Sequence, residues 1–255
     1  MVLLIVGHIR SGTTLLRNLC DSHPEIALTN EFKYFSGLDK TYREHSLILL
    51  ERLWEKTRIR KKFVWHLHNY SFVAHYLFEM HRYRKWLIDV AAIESVLRSI
   101  FPKARIAGDK TPCYVFSLDK FVATNGLYCL IIFRDYRDVT SSTLEKVRTQ
   151  WRNQPTQHID TAEKVVKRWV QCIELMERHK DKIHIIRYED LVREPRKELE
   201  ALAKWLEVDA TGFSEHVIRR ISNSSIGKYK TGLTDEELKT VIEIAGPTMA
   251  RLGYL

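Results

Sequence analysis

The chain has 255 residues, enough to bury a hydrophobic core, and we predict one domain over residues 1–255. Its 45% hydrophobic and 29% charged content is typical of a soluble globular protein and argues against a disordered or repetitive chain. The 41 Lys and Arg residues exceed the 32 Asp and Glu residues, and the net charge of +9 favours an anionic partner: a nucleotide, a nucleic acid, an acidic glycan or a membrane surface.

The first twenty residues predict a buried strand, a loop and a helix. Residues 2–6 are a continuous run of β-prone apolar residues, glycines lie at both ends of the segment 7–12, and three leucines recur at helical spacing within 13–20. Such a junction points free backbone N–H groups and the positive end of the helix dipole at one spot. We therefore predict a binding site for a phosphate or another compact anion.

Gly7 and Gly12 have the separation of the two glycines in a P-loop, but Thr13 stands where nucleotide triphosphatases carry a lysine. Without that lysine the loop lacks the cation that reaches the β- and γ-phosphates of ATP, and Arg10 is the substitute positive charge. The loop is therefore predicted to hold an anion other than ATP. Because short motifs match by chance, an ordinary tight turn stays open on this stretch alone.

A break at Pro24 predicts a short extended segment over residues 26–28, followed by Glu31, with His23 packed beside the proline as a structural residue. Residues 41–101 predict a mostly helical insertion. Its abundant basic and aromatic side chains fit either a solvated face above an aromatic core or a cap that binds an acceptor. The apolar faces are predicted at Leu47, Leu50, Leu53 and Trp54, and at Val90, Ile93, Val96, Leu97 and Ile100.

Strands alternating with helices predict an α/β fold: a central, mainly parallel sheet of about four or five strands with helices on both faces. The later strands are predicted at 104–107, 127–133 and 182–187, with an amphipathic helix at 162–178. Polar clusters follow the strands at 7–14, 108–112, 134–142 and 187–190. Because sites in such sheets lie beyond the carboxyl ends of the strands, we expect these clusters to converge.

The cysteines are widely separated and form no C-x-x-C pair, which argues against a zinc or redox motif. We predict no metal site and free, mostly buried thiols at Cys20, Cys113, Cys129 and Cys172. The first strand begins at Val2 and no apolar run is long enough for a bilayer, so we expect a cytoplasmic chain without a membrane span. A catalytic domain trimmed from a longer luminal protein stays open.

Five blocks of the chain resemble, in the same order, segments of the sulfotransferase family. That family moves a sulfuryl group from 3′-phosphoadenylyl sulfate (PAPS) to a hydroxyl or amine and releases the bisphosphate PAP. Residues 10–14, Arg-Ser-Gly-Thr-Thr, look like the loop that holds the 5′-phosphosulfate, as in protein-tyrosine and bacterial sulfotransferases. Arg134 followed by Ser142 is similar to the 3′-phosphate site. The other similar blocks are 108–112, 188–191 and the tail over 225–254.

The resemblance implies a P-loop-like sulfotransferase architecture and a donor site. In that site Arg134 and Ser142 bind the 3′-phosphate and Tyr188 lies beside adenine. A guanidinium fork suits a phosphate dianion, but an ion pair with Asp138 stays open for Arg134, and a core position stays open for Tyr188. The 5′-phosphosulfate residues are Arg10, Ser11, Gly12, Thr13 and Thr14. The tail residues that close over the nucleotide are Ser225, Gly227 and Lys228, in a segment that departs from the Arg-Lys-Gly of cytosolic members.

An acceptor hydroxyl must lose its proton during attack, so sulfuryl transfer requires a base. Cytosolic members have a histidine after the Lys-Thr pair, but Pro112 stands at that position here. Glu31 lies at a distance from Arg10 like that of the catalytic glutamate in protein-tyrosine sulfotransferases, and it is the candidate base. A surface or helix-capping Glu31 is the alternative, and His8 or a histidine of 66–81 is then the next candidate.

Lys110 is the candidate to offset negative charge at the transferring group, because it is predicted at the end of the strand that precedes the Lys-Thr pair. A strand-end ion pair with Asp109 or a neighbouring acid is the alternative.

Two other function classes stay open on the sequence. A P-loop kinase shares the fold class, but the missing lysine at position 13 counts against it. A basic nucleic-acid-binding protein built on residues 52–86 fits the charge, but no recognised nucleic-acid motif is present. For a sulfotransferase we expect a small-molecule, glycan or tyrosine-like hydroxyl acceptor in a pocket shaped by residues 32–86 and no nucleic acid partner. A homodimer stays open.

Overall fold

The computed structural model describes residues 1–59, 73–81 and 87–255, and for residues 52–59 it describes the backbone alone. Within these ranges the strands form one parallel sheet in the order β2-β3-β1-β4-β5. The strands are β1 (Val2–Val6), β2 (Ile26–Asn30), β3 (Ile106–Lys110), β4 (Leu127–Phe133) and β5 (His184–Arg187). The predicted α/β fold with a central parallel sheet is confirmed.

Helices cover both faces of this sheet. They are α1 (Thr13–Cys20), α2 (Tyr42–Ile59), α3 (73–81), α4 (Val90–Ile100), α5 (Leu118–Val122), α6 (Tyr136–Arg148), α7 (Ala162–Arg178), α8 (Tyr188–Arg193), α9 (Pro195–Leu206), α10 (Glu215–Ile218), α11 (Tyr229–Gly232) and α12 (Asp235–Arg251). The sequence predicted β4 and α7 with these bounds. Among the described residues, no helix combines the length and the apolar character that crossing a bilayer requires.

The central strand β1 divides the core into two layers. Val2, Leu4 and Val6 pack in the layer that α4, α7 and α12 cover, whereas Leu3 and Ile5 pack in the layer of α1, α8 and α9. Side chains of a strand alternate between the faces of its sheet, so a strand covered on both faces must be apolar at every position. This explains the unbroken apolar run at the start of the chain.

Strand β3 differs in its bounds from the prediction, which placed the strand at 104–107 with a polar cluster following at 108–112. Gly108 lies inside the strand, and a Cβ atom there would collide with the carbonyl oxygen of Leu3 on β1. Asp109 and Lys110 complete the strand and are buried, because their side chains bond to groups at the end of β2. The predicted bounds were wrong because these polar residues interrupt the apolar pattern from which the strand was predicted.

The described parts of 41–101 are largely helical, as predicted, and residues 60–72 and 82–86 lie outside the described residues. Tyr76 on α3 is fully buried and stacks on Tyr34 at 4.8 Å, so aromatic side chains here form a core. The apolar face predicted for α2 is wrong where its side chains are described: Leu49 is buried, whereas Leu47 and Leu50 are exposed. The face predicted for α4 is buried along most of its length.

Candidate active site

The polar clusters that follow the strands meet at the carboxyl edge of the sheet, as expected for a parallel sheet. Lys110 at the end of β3 contacts Glu31, just after β2, and Thr14 on α1. Arg134, just after β4, contacts the carbonyl oxygen of Arg10 in the loop that follows β1. One surface therefore combines side chains from four segments of the chain.

The loop between β1 and α1 contains residues with a positive φ, and a backbone conformation of this kind favours glycine at the last residue before α1. Gly12 has a φ of 99° and Arg10 a φ of 65°, both in the left-handed region. Gly12 precedes the first residue of α1 and provides no side-chain oxygen to cap it. The first N–H groups of α1, which have no partner within the helix, therefore point out of the helix towards the loop.

Tyr188, the first residue of α8, packs directly against this loop. Its ring is buried, and a Cβ atom on Gly12 would lie 2.5 Å from its Cδ2 atom. The guanidinium of Arg134 lies over the Tyr188 ring, with its Cζ atom 4.5 Å from the ring centroid. Tyr188 is thus a buried residue that also forms a wall of the predicted donor site.

Arg10 links the two halves of that donor site. Its Nε donates a hydrogen bond of 3.0 Å to the hydroxyl oxygen of Ser142 on α6. Burial lowers the pKa of the Arg10 guanidinium, and the nearby positive charge of Arg134 lowers it further. Two guanidinium groups held this close repel each other, and a bound anion would relieve that repulsion.

Arg134 is buried, and protein groups surround most of its guanidinium. It donates to the carbonyl oxygens of Arg10 and Ser225, and its Nη2 lies 3.4 Å from a carboxylate oxygen of Asp138. The ion pair that the sequence left as an alternative is therefore present. Among the described residues, the Nε of Arg134 and the hydroxyl of Ser11 are two of the buried polar atoms without a hydrogen-bond partner.

Asp138 also holds the tail against α6. Its carboxylate accepts hydrogen bonds from the backbone N–H groups of Gly227 at 2.8 Å and Tyr229 at 3.0 Å. Ser225 approaches the same region through its carbonyl oxygen, whereas the side chain of Lys228 is exposed. The structure thus brings the tail next to Arg134 through its backbone.

Glu31 and Lys110 form a close ion pair, with 2.6 Å between Oε1 and Nζ. The Lys110 side chain is 1% exposed, whereas that of Glu31 is 33% exposed. Lys110 Nζ also lies 3.4 Å from the hydroxyl oxygen of Thr14. The neighbouring acid that pairs with Lys110 is thus Glu31, the candidate base, and not Asp109.

A groove of about 360 Å³ opens beside this pair. Its lining includes Arg10, Thr13, Thr14, Glu31, Lys33, Pro112 and Cys113, together with Trp151, Gln154, His158 and Ile159 from the segment between α6 and α7. Sequence reasoning missed the residues of 151–159. Their mixture of aromatic, proline and polar residues between two helices was the available signal, but such a mixture is also typical of ordinary loops.

Two histidines considered in the sequence analysis lie away from this groove. His8 is buried, its Nδ1 donates to the carbonyl oxygen of Ile9, and burial lowers its pKa to about 4. His23 accepts from the Glu25 N–H and donates to the Asp209 carbonyl oxygen, so it is structural, as predicted. His66 and His68 lie outside the described residues.

The four cysteines, all within the described residues, form no disulfide bond, as predicted, and three of them are buried. Burial raises the pKa of the Cys20 and Cys129 thiols to about 12, which keeps them protonated. Cys113 is exposed at the groove. Within the described ranges, no group of three or more His, Cys, Asp and Glu side chains is arranged to hold a metal ion.

Comparison with known protein families decides the classification. A model described as "Sulfotransferase family" matches residues 3–212, which is most of the chain. The chain belongs to the sulfotransferase family. This sulfotransferase has no significant match among curated protein sequences.

Solved sulfotransferase structures share its fold. The sulfotransferase domain from the curacin biosynthetic pathway has 15% identity and a TM-score of 0.62, with 100% of this chain and 98% of that one covered. The sulfotransferase domain of the Synechococcus PCC 7002 olefin synthase has 18% identity and a TM-score of 0.61, covering 96% and 94%. Mouse sulfotransferase SULT7A1 complexed with PAP has 14% identity and a TM-score of 0.50, covering 97% and 84%.

Proposed function

We propose that this sulfotransferase transfers a sulfuryl group from PAPS to a hydroxyl or amine acceptor and releases PAP. The observation that carries the proposal is the Glu31–Lys110 pair: Lys110 contacts Thr14 of the loop over residues 10–14, and Glu31 lines an open groove together with that loop. Membership of the family supports the reaction type. The structural similarity to a mouse enzyme complexed with PAP supports the choice of nucleotide.

For the donor, we propose that the loop over residues 10–14 and the N-terminus of α1 bind the 5′-phosphosulfate. Arg134 and Ser142 bind the 3′-phosphate, and Tyr188 contacts the adenine. The clustering of the Arg10 and Arg134 guanidinium groups at this loop supports this assignment. Ser225, Gly227 and Lys228 close the site from the tail.

In the reaction, Glu31 accepts the proton of the acceptor O–H as that oxygen forms a bond to sulfur. The bond between sulfur and the bridging phosphate oxygen breaks, and its electron pair leaves with the 5′-phosphate of PAP. Arg10 and the loop N–H groups neutralise the charge on that phosphate, while the Lys110 ammonium offsets charge on the sulfuryl oxygens. The 2.6 Å contact between Glu31 and Lys110 supports the assignment of both groups to one reaction centre.

We propose that the groove of about 360 Å³ holds a small-molecule acceptor or the end of a larger one, such as a glycan or a tyrosine side chain. Lys33 is the described contribution of 32–86 to this groove, and residues 151–159 contribute the opposite part of its lining. Acceptor specificity would therefore depend on both segments.

The kinase and nucleic-acid alternatives have weaker support. Thr13 occupies the position of the P-loop lysine, and the cations near the loop are Arg10, Lys110 and Arg134. We propose that these side chains supply the positive charge that kinases obtain from Mg²⁺, so that transfer requires no metal. The residues proposed for nucleic-acid binding lie partly outside the described ranges.

PAP release from PAPS, measured in EDTA with a panel of hydroxyl and amine acceptors, tests this function. Glu31→Gln removes the base while keeping the shape, so we expect turnover to fall by about 10²–10⁴-fold with nearly unchanged PAP affinity. Lys110→Ala should lower turnover and donor affinity. Glu25→Gln, just before the opposite end of β2, is the matched control. Near-normal turnover in Glu31→Gln, or an obligatory divalent ion, would contradict the proposal.

A further inference from the structure

Asp109 on β3 is fully buried, and it lies against the turn that contains Glu31, the candidate base. One of its carboxylate oxygens accepts hydrogen bonds from the hydroxyl of Thr29 at 2.8 Å and the N–H of Phe32 at 3.4 Å. The other accepts from the N–H of Lys33 at 3.2 Å and the hydroxyl of Thr111 at 2.7 Å. None of these four donor groups is charged. Hydrogen bonds join the carboxylate to the end of β2, to the turn that follows β2, and to the residue just after β3.

That turn has an unfavourable backbone conformation. Glu31 has a φ of 62° and Lys33 a φ of 63°, and left-handed conformations are disfavoured for residues with a Cβ atom. The Glu31 N–H still donates to the Lys110 carbonyl oxygen at 2.8 Å, so the chain leaves the sheet at this residue. A conformation of this kind persists only where the surroundings hold it, and Asp109 binds the next two N–H groups.

Neighbouring residues of β3 thus hold Glu31 in different ways. Side chains of successive strand residues point to opposite faces, so Asp109 binds the backbone of the turn while Lys110 binds the Glu31 carboxylate. We propose that Asp109 is the positioning residue that sets Glu31 against Lys110 for proton abstraction. This inference deepens the proposed function and rests on it for the role of Glu31.

Asp109→Asn keeps the side-chain shape but replaces one acceptor oxygen with an amide group that cannot accept from these donors. We expect the turn to relax, the Glu31–Lys110 contact to open beyond 4.0 Å, and kcat for PAP release from PAPS, with 4-nitrophenol as the acceptor probe, to fall about 100-fold. The KM for PAPS should stay within about 2-fold. A displacement of Glu31 affects proton removal and leaves the donor loop in place.

Tyr114→Phe is the matched control, because the Tyr114 hydroxyl accepts from the N–H of Phe35, two residues beyond Lys33 in the same segment. We expect it to lower stability without lowering kcat. In the Glu31→Gln background, Asp109→Asn should cause no further loss of kcat, because the base through which it acts is already absent. An equal additional loss in that background would overturn the positioning role.

A crystal structure of Asp109→Asn tests the geometry independently of any activity. An unchanged Glu31–Lys110 contact would overturn the inference even if the wild-type protein is an active sulfotransferase. If the contact opens in Asp109→Asn but the wild-type protein releases no PAP from PAPS, the positioning role is supported and the proposed function is contradicted. If Asp109→Asn does not fold, Thr29→Val removes one of the four donors, and it should lower kcat several-fold; unchanged kcat and geometry would overturn the inference.

Discussion

Acidification should destabilise this protein through His8, a residue of the loop between β1 and α1. His8 is 4% exposed, and its Nδ1 donates to the carbonyl oxygen of Ile9, so protonation would place a charge on the buried Nε2. Burial, with a smaller contribution from the charge of Arg168, lowers its pKa from 6.5 to about 4. The unfolded chain therefore takes up this proton at higher pH than the folded chain. The contribution of neutral His8 to the stability of the folded chain is therefore fully present above pH 6.5 and is lost as the pH falls towards 4.

The size of this effect follows from the difference between the two pKa values. Each pH unit between them is worth about 1.4 kcal/mol, so the free energy of unfolding should fall by about 2 kcal/mol at pH 5 through His8 alone. Urea unfolding at pH 7.5 and pH 5 measures the total loss. His8→Asn keeps a donor for the Ile9 carbonyl oxygen but does not titrate, so its loss should be about 2 kcal/mol smaller.

His216→Gln, which replaces an exposed histidine, is the control and should lose as much stability as the wild type. If His8→Asn and the wild type lose the same free energy between pH 7.5 and pH 5, His8 is not held neutral by burial. The description of His8 as a buried, neutral residue at physiological pH would then be wrong.

Two substitutions test the donor site. Gly12→Ala places a Cβ atom 2.5 Å from the Tyr188 ring at a residue with a φ of 99°, so the loop must shift. Titration with PAP should then show an affinity reduced by at least about 10-fold. An unchanged affinity would contradict the predicted contact between this loop and PAP. Asp138→Asn weakens the acceptor of the Gly227 and Tyr229 N–H groups. The tail should then be cut faster by trypsin in the absence of PAP, and a cleavage rate equal to that of the wild type would show that Asp138 does not hold it.

The sheet could be predicted because its strands are buried on both faces. Residues 2–6 and 127–133 are short, continuous apolar runs. In a chain that also contains amphipathic helices, such runs are typical of strands buried on both faces of a parallel sheet. The end of β3 could not be predicted in this way, because Asp109 and Lys110 are polar. Their burial depends on partners at the end of β2, which are about 80 residues away in sequence and adjacent only in the folded sheet.

The convergence of the candidate donor-site residues was easier to predict than the lining of the groove. Arg10 and Arg134 lie in the segments after β1 and β4, Ser142 lies on α6, and the convergence of parallel strands brings them together. Residues 151–159 reach the groove through the packing of α6 and α7, which no local pattern records. The same limit applies to α2, where periodicity showed apolar positions but not which of them face the core, as the exposed Leu47 shows.

We expect the proposed nucleotide site to select for a 3′-phosphate. Calorimetric titration with PAP and with 5′-AMP, which lacks that phosphate, tests it directly in the wild type and in Arg134→Ala. Hydrogen bonds to charged groups contribute about 1.5–3 kcal/mol, so the wild type should bind PAP about 10- to 100-fold more tightly than 5′-AMP. This preference should largely disappear in Arg134→Ala, with little change for 5′-AMP. Equal wild-type affinities, or equal losses for both nucleotides on substitution, would contradict the assignment of Arg134 to the 3′-phosphate.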